Sequence, residues 1–117
     1  MSKGTNPSVS VVLPILNEER DLAACISAIL QQKYDGEIEV ILALGPSSDK
    51  TDEIAQQLAA QDKRIKLVKN PSGKTAAALN LAIAAATNEI ICRIDGHAEI
   101  SATYIDTAVK ILQKTGA

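Results

Sequence analysis

Ile90-Ile91-Cys92-Arg93-Ile94-Asp95-Gly96-His97 is an apolar, β-branched run that ends abruptly in a carboxylate, a glycine and an imidazole. Its apolar part reads as a strand from Glu89 to Ile94. In a parallel α/β sheet, ligands sit outside the carboxyl ends of the strands. Asp95 and His97, delivered there two positions apart, suit a divalent metal or sugar hydroxyls. The plain alternative is that Asp95 caps the next turn and that His97, the single histidine, is solvated. The rest of the chain weighs between the two.

Outward from this run, the pattern alternates between strand and helix. Val9-Ser10-Val11-Val12-Leu13 is a strand buried on both faces, ended by Pro14. After Asn17-Glu18-Glu19, with Asn17 as the N-cap, a helix places Leu22, Ile26, Ile29 and Leu30 on one stripe. The second strand, Glu37 to Leu44, stops at Gly45-Pro46. Ser48 or Asp49 then caps a helix carrying Ile54, Ala55, Leu58 and Ala59. Arg64 to Val68 alternates as a short strand nearer an edge. The turn Asn70-Pro71-Ser72-Gly73 leads into an alanine-rich helix from Lys74 to Ala86. Leu79 and Ile83 are expected to face inward there, with Asn80 tied to a neighbouring loop. Ser101 caps a last helix whose apolar side holds Tyr104, Ile105, Ala108, Val109 and Leu112. The order β-α-β-α-β-α-β-α predicts one α/β domain over 1–117, a Rossmann-like three-layer α/β/α fold with a parallel sheet. Winding outward and back gives the spatial order 3-2-1-4. The reversal opens a crevice between Pro14–Glu18 and Asp95–Glu99, with Gly45–Asp49 next door.

Composition narrows the partners. A net charge of −2 and scattered Lys and Arg, with only two tyrosines for aromatics, argue against nucleic acid or an anionic membrane surface. Cys25 and Cys92 lack a Cys-x-x-Cys spacing and lie in apolar segments, so they read as reduced core thiols of a cytoplasmic protein. No run reaches the length of a membrane span, and the polar start from Met1 to Pro7 has no signal-peptide core.

The first loop, Pro14-Ile15-Leu16-Asn17-Glu18-Glu19, has no glycine, which argues against a dinucleotide cofactor. Gly73-Lys74-Thr75 opens a helix as a P-loop does, but Val68 stands where that motif needs its first glycine. With these loops in place the sequence resembles the family 2 glycosyltransferases, inverting enzymes of the glycosyltransferase A fold. The resemblance rests on Val9 to Glu19 as the opening strand and Asn-Glu turn, and on Gly45-Pro46-Ser47-Ser48-Asp49-Lys50-Thr51 as the second-strand loop. It also rests on Lys74 to Ile83 as the third helix, and on Arg93-Ile94-Asp95-Gly96-His97-Ala98 in place of the Asp-x-Asp element. These variants look most like the enzymes of bacterial exopolysaccharides such as succinoglycan.

The resemblance implies a nucleotide-sugar donor, a UDP-sugar in first place, bound by Pro14, Ile15, Leu16, Asn17, Glu18, Gly45, Pro46, Ser47, Lys74, Asp95, Gly96 and His97. Asp95 and His97 would hold a divalent metal, Mn²⁺ or Mg²⁺. Imidazole suits Mn²⁺ better, and affinity should fall in acid as His97 protonates. Leu44 and Gly45 stand where the family has an aspartate that reads the base, so the backbone of Gly45 to Ser47 would have to read it. Lys74 would pair with a phosphate or the base edge; otherwise it is a solvated lysine at a helix start. In the family the acceptor site and general base lie in a second half. The chain is therefore expected to be the donor-binding half of a longer enzyme, inactive alone, with the longer protein associated with a membrane at its cytoplasmic face. Self-association through the fourth strand or last helix is expected of such a half. A non-catalytic nucleotide-binding module and an interaction domain with an empty cleft are the competing readings.

Overall fold

Strand β1 (Val9–Ile15) lies between β2 (Ile38–Leu44) and β4 (Ile90–Arg93), and β3 (Ile65–Lys69) lies beyond β2, all parallel. The computed structural model describes residues 6–115; the expected polar start at Met1 to Thr5 and the chain end at Gly116-Ala117 lie outside them. The order β3-β2-β1-β4 is the one the alternation predicts. Three helices connect the strands, α1 (Leu22–Leu30), α2 (Thr51–Gln61) and α3 (Thr75–Ala85), and α4 (Tyr104–Thr115) follows β4.

The two faces of the sheet differ. Val9, Val11, Leu13 and Ile15 point to one face, packing in a cluster that takes in Leu22, Ile26 and Ile29 of α1, Ala55 of α2, and Ile105 and Val109 of α4. Val12, Ile41 and Ala43 point the other way, onto Ala78 and Ala82 of α3. Burial on both faces is why β1 and β2 read as continuous apolar runs. The inward face of α3 differs in part from expectation: Leu79 packs against this cluster half-buried, but Ile83 is 48% exposed. An apolar helix gives periodicity no preferred face, and its small residues allow the closest approach to the sheet. Asn80 is exposed, and its side chain meets no partner among the described residues.

Pro14 does not end β1. It pairs in register with Ala43, and the strand runs on to Ile15. The reason is geometric. Val12 O accepts from Ile94 N at 3.1 Å on the β4 side, whereas Ile15 O accepts from Gly45 N at 2.8 Å on the β2 side. Backbone groups alternate along a strand, so Pro14 aims its missing donor at β4, whose pairing with β1 stops at Val12. The expected Ser101 cap is also replaced. Gln32, just past α1, accepts the Ile105 amide at 2.9 Å and donates to Ser101 O at 2.7 Å. Cys25 is buried as expected, but Cys92 only partly. Among the described residues no helix is long and apolar enough to cross a membrane.

At the amino ends of the strands, Glu39 accepts from Ser10 Oγ at 2.7 Å, the Thr87 amide and hydroxyl at 3.0 Å each, and Lys66 Nζ at 2.5 Å. Burial pushes this carboxyl up, but the bond from Lys66 and those from Thr87 and Ser10 outweigh it and hold the pKa at about 2. A depressed carboxyl stabilises the fold above its unfolded pKa and loses that contribution as the pH falls toward the folded value. Against the ordinary 4.5 the shift is worth at most roughly 3 kcal/mol. Acid unfolding between pH 5 and about 2 should therefore be flatter in Glu39→Gln than in the natural chain when followed by circular dichroism. Equal pH slopes would show that Glu39 carries none of it.

Candidate functional site

The carboxyl ends of β1 and β4 part where Pro14 offers no donor, and the gap is a cleft. Pro14, Ile15, Leu16, Glu18, Asp95 and His97, all expected in the site, line it. Its volume is about 250 Å³. That is under the ~300 Å³ lower bound for pockets enclosing a whole small ligand, so the cleft can grip part of an extended one.

The β1–α1 and β2–α2 loops are joined by hydrogen bonds. Asn17 is held at φ 52°, and its Oδ1 accepts the Ser48 amide at 2.8 Å while its own amide donates to Ser47 Oγ at 2.9 Å. Asn17 is therefore no helix cap: α1 begins at Leu22, with Asp21 in the capping position. The Glu18 amide donates to Thr51 Oγ1 at 2.8 Å, and that hydroxyl donates to Asp49. Asp49 also accepts the Thr51 amide at 3.0 Å, but the capping position of α2 is taken by Lys50 and not, as expected, by Ser48 or Asp49. Gly45 fits between loops. A Cβ there would stand 3.1 Å from Leu16 Cδ1 and 3.3 Å from Gly73 Cα. The Gly45 amide is spent on Ile15 O, and the Ser47 amide on Gly45 O at 2.8 Å. Pro46 has no N–H, so this loop's backbone has no amide left to read a base.

The β4–α4 loop closes on the other side. A Cβ on Gly96 would meet Ile15 Cδ1 at 2.7 Å and Glu18 Cγ at 3.1 Å, so a larger residue would push these side chains aside. That contact brings His97 Nδ1 to 3.0 Å from Glu18 Oε2. The hydrogen bond to Glu18 and that carboxylate's charge raise the His97 pKa above the ordinary value. Desolvation opposes the shift, and Asp95 and Asp21 add to it. The Asp95 carbonyl accepts the Ala98 amide at 3.0 Å and the Cys25 thiol at 3.3 Å. Burial pushes that thiol's pKa up, keeping it a neutral donor.

Other lining residues were not singled out from the sequence: Asn70, Gly73, Thr75, Ala78 and Arg93. The first four follow β3, and the same rule of strand carboxyl ends applied there would have found them. Arg93 ends β4 with a half-exposed side chain whose Nε and Nη2 both lie 3.3 Å from Asp95 Oδ1. A basic residue closing an apolar strand was the available signal. Lys74 stands between lining Gly73 and Thr75, but its side chain is exposed and outside the lining.

The donor set can be judged for a metal. Among the described residues no group of three His, Cys, Asp or Glu side chains forms a closed site. Asp95 and His97 are two candidate ligands on the cleft wall. That fits an ion which completes its shell with water and substrate phosphates, and the imidazole favours Mn²⁺ over Mg²⁺.

Comparison with known proteins agrees with the geometry. The family pattern of Glycosyl transferase family 2 matches residues 10–117. The chain is 34% identical over 115 residues to the succinoglycan biosynthesis protein ExoA of Rhizobium meliloti, covering 97% of this chain and 35% of that one. It superposes on S. aureus TarS with a TM-score of 0.79 at 20% identity, over 93% of this chain and 20% of TarS, which shows a shared fold. A mannosyltransferase from Pyrobaculum calidifontis, PcManGT, solved with GDP-Man and Mn²⁺, matches with a TM-score of 0.75 at 26% identity, over 93% of this chain and 32% of that one. The chain thus spans about a third of the length of the succinoglycan relative.

The Glu18–His97 contact is present in full below the imidazole's unfolded pKa and is lost as the pH rises through its raised folded value. Proton NMR of the single histidine should show a midpoint above the usual ~6.5, and Glu18→Gln should bring it down. An identical midpoint in both proteins would mean that the contact does not form in solution.

Proposed function

The chain belongs to Glycosyl transferase family 2, and we propose that its cleft binds the diphosphate of a nucleotide-sugar donor, a UDP-sugar in first place, for inverting transfer to an acceptor hydroxyl in polysaccharide synthesis. One observation carries this reading: Glu18, Asp95 and His97 converge with the turn after β3 at the switch point between β1 and β4.

In this reading Asp95 and His97 are the protein's ligands to a divalent metal, Mn²⁺ before Mg²⁺. When bound, the ion would offset charge on the diphosphate leaving group. Pro14, Ile15 and Leu16 form an apolar wall along the donor, while Asn17 and Ser47 fix that wall by tying its loop to the next. Gly45 and Pro46 allow the close approach, and Gly96 sets His97 against Glu18. Lys74 stays on the rim, free to turn toward a phosphate. No general base is assigned within the chain. Glu18 is held by His97, and in this reading Asp95 is taken by the metal, so neither carboxylate is left to take a proton from an acceptor. The base and the acceptor site belong, on this proposal, to a part of the protein beyond these residues.

The absence of a carboxylate after β2, where Leu44 and Gly45 stand, and the two paired acids favour a second reading, a nucleotide-binding module without catalysis. Calorimetric titration with UDP and GDP, with and without Mn²⁺, tests the first reading. It predicts metal-dependent uptake of one diphosphate, weakened about tenfold or more in Asp95→Ala and in His97→Ala. Metal-independent uptake untouched by either change would instead favour the module. No uptake of either nucleotide would contradict both.

A further inference from the structure

The cleft holds its charges in two pairs. Among the described residues that line it, the charged side chains are Glu18, Asp95, Arg93 and His97. Glu18 is paired with His97 and Asp95 with Arg93. A diphosphate entering beside two carboxylates is favoured by a cation freed from one of them. His97 is bound to Glu18 at 3.0 Å, and Glu18 is largely buried, with 15% of its side chain exposed.

The Arg93 pair is looser. Nε and Nη2 both reach the same oxygen, Asp95 Oδ1, at 3.3 Å, rather than forking across both oxygens. Both side chains are about half exposed, at 50% and 47%. A long, single-oxygen, solvated pair is cheap to exchange. Its carboxylate is also the one that a divalent cation would take, so the guanidinium and the metal compete for the same group. Displaced from Asp95, the guanidinium remains on the cleft wall, with a donor geometry that matches phosphate oxygens.

We propose that Arg93 is the diphosphate-binding cation of this cleft, held in reserve by Asp95 and released when a divalent metal takes that carboxylate. The proposal rests on the donor-site reading and goes beyond it by making metal and arginine successive partners of Asp95. It predicts opposite signs for two affinities after the same substitution. Removing the guanidinium frees Asp95 for the metal but takes away a phosphate contact.

The test uses the chain with Mn²⁺ alone, followed by free-ion paramagnetic resonance, and with UDP plus Mn²⁺, followed by calorimetry. In Arg93→Gln, Mn²⁺ should bind about two- to fivefold tighter, the strength of an exposed ion pair. UDP with Mn²⁺ should bind about tenfold weaker, the loss of a charge-assisted phosphate contact. Arg93→Lys keeps the charge without the fork and should fall between the two for UDP. It also separates a lost contact from a lost fold, as does the dispersion of each variant's proton spectrum. Unchanged UDP affinity in a folded Arg93→Gln, or weaker Mn²⁺ binding, overturns the role of Arg93 while leaving the donor site intact. Failure of the natural chain to take up UDP at all would sink the donor-site reading, and this proposal with it.

Discussion

The structure depends on how β1 is enclosed. Both faces of this strand are covered, and β2 pairs with it along its whole length, from Val9 to Ile15. β4 pairs only from Val9 to Val12, and Ile94 N supplies the last bond of the ladder. Two residues further on, proline removes the donor that would continue the pairing. A sheet cannot extend past a position with no donor to give, so the chain leaving β4 turns away. The cleft follows directly from that divergence. Asp95, Gly96 and His97 are the residues the chain uses to make the turn, and Gly96 is small enough to let it close against Ile15 and Glu18.

Electrostatics then sets the character of the cleft. The two acids and the two basic groups on its wall are matched one to one, so the site is poised rather than strongly charged. Such a wall attracts neither cation nor anion strongly by itself. On the proposal above, a metal and a diphosphate arriving together each take one member of the Arg93–Asp95 pair. The pair that does not exchange, Glu18 with His97, links the loop after β1 to the loop after β4. The hydrogen bonds of Asn17 and Glu18 to Ser47, Ser48 and Thr51 extend that link to the loop after β2. Three loops therefore meet as one surface, as a ligand spanning them requires.

Much of this was legible in the residues. Largely apolar runs at Val9–Leu13 and Glu37–Leu44 implied central parallel strands, and the alternation of elements implied the order 3-2-1-4. Asp95 and His97 were legible because a polar pair ending an apolar strand has few structural reasons to exist. The illegible parts depend on partners distant in the sequence. Nothing local says that Ala78 and Ala82 lie closest to the sheet while Ile83 turns outward; the depth of approach decides it. Gln32 caps a helix that begins more than sixty residues later, and no capping pattern within α4 could have named it. Asn17 looked like a cap because the residue type is right for one. Its left-handed backbone and its two bonds to the next loop appear only once β1 and β2 lie side by side. Arg93 was in plain view, yet its place on the cleft wall depends on where the β4 ladder stops.

The central claim is that the gap between the ends of β1 and β4 is where a metal and a nucleoside diphosphate meet. Paramagnetic broadening of amide signals, with trace Mn²⁺ added to the ¹⁵N-labelled chain in the presence of UDP, tests it most directly. Signals from residues 15–18, 73–75 and 95–98 should broaden, while those of Glu37, Ile38 and Thr87 at the opposite end of the sheet stay sharp. Broadening centred on the opposite end, or spread evenly over the chain, would contradict the account.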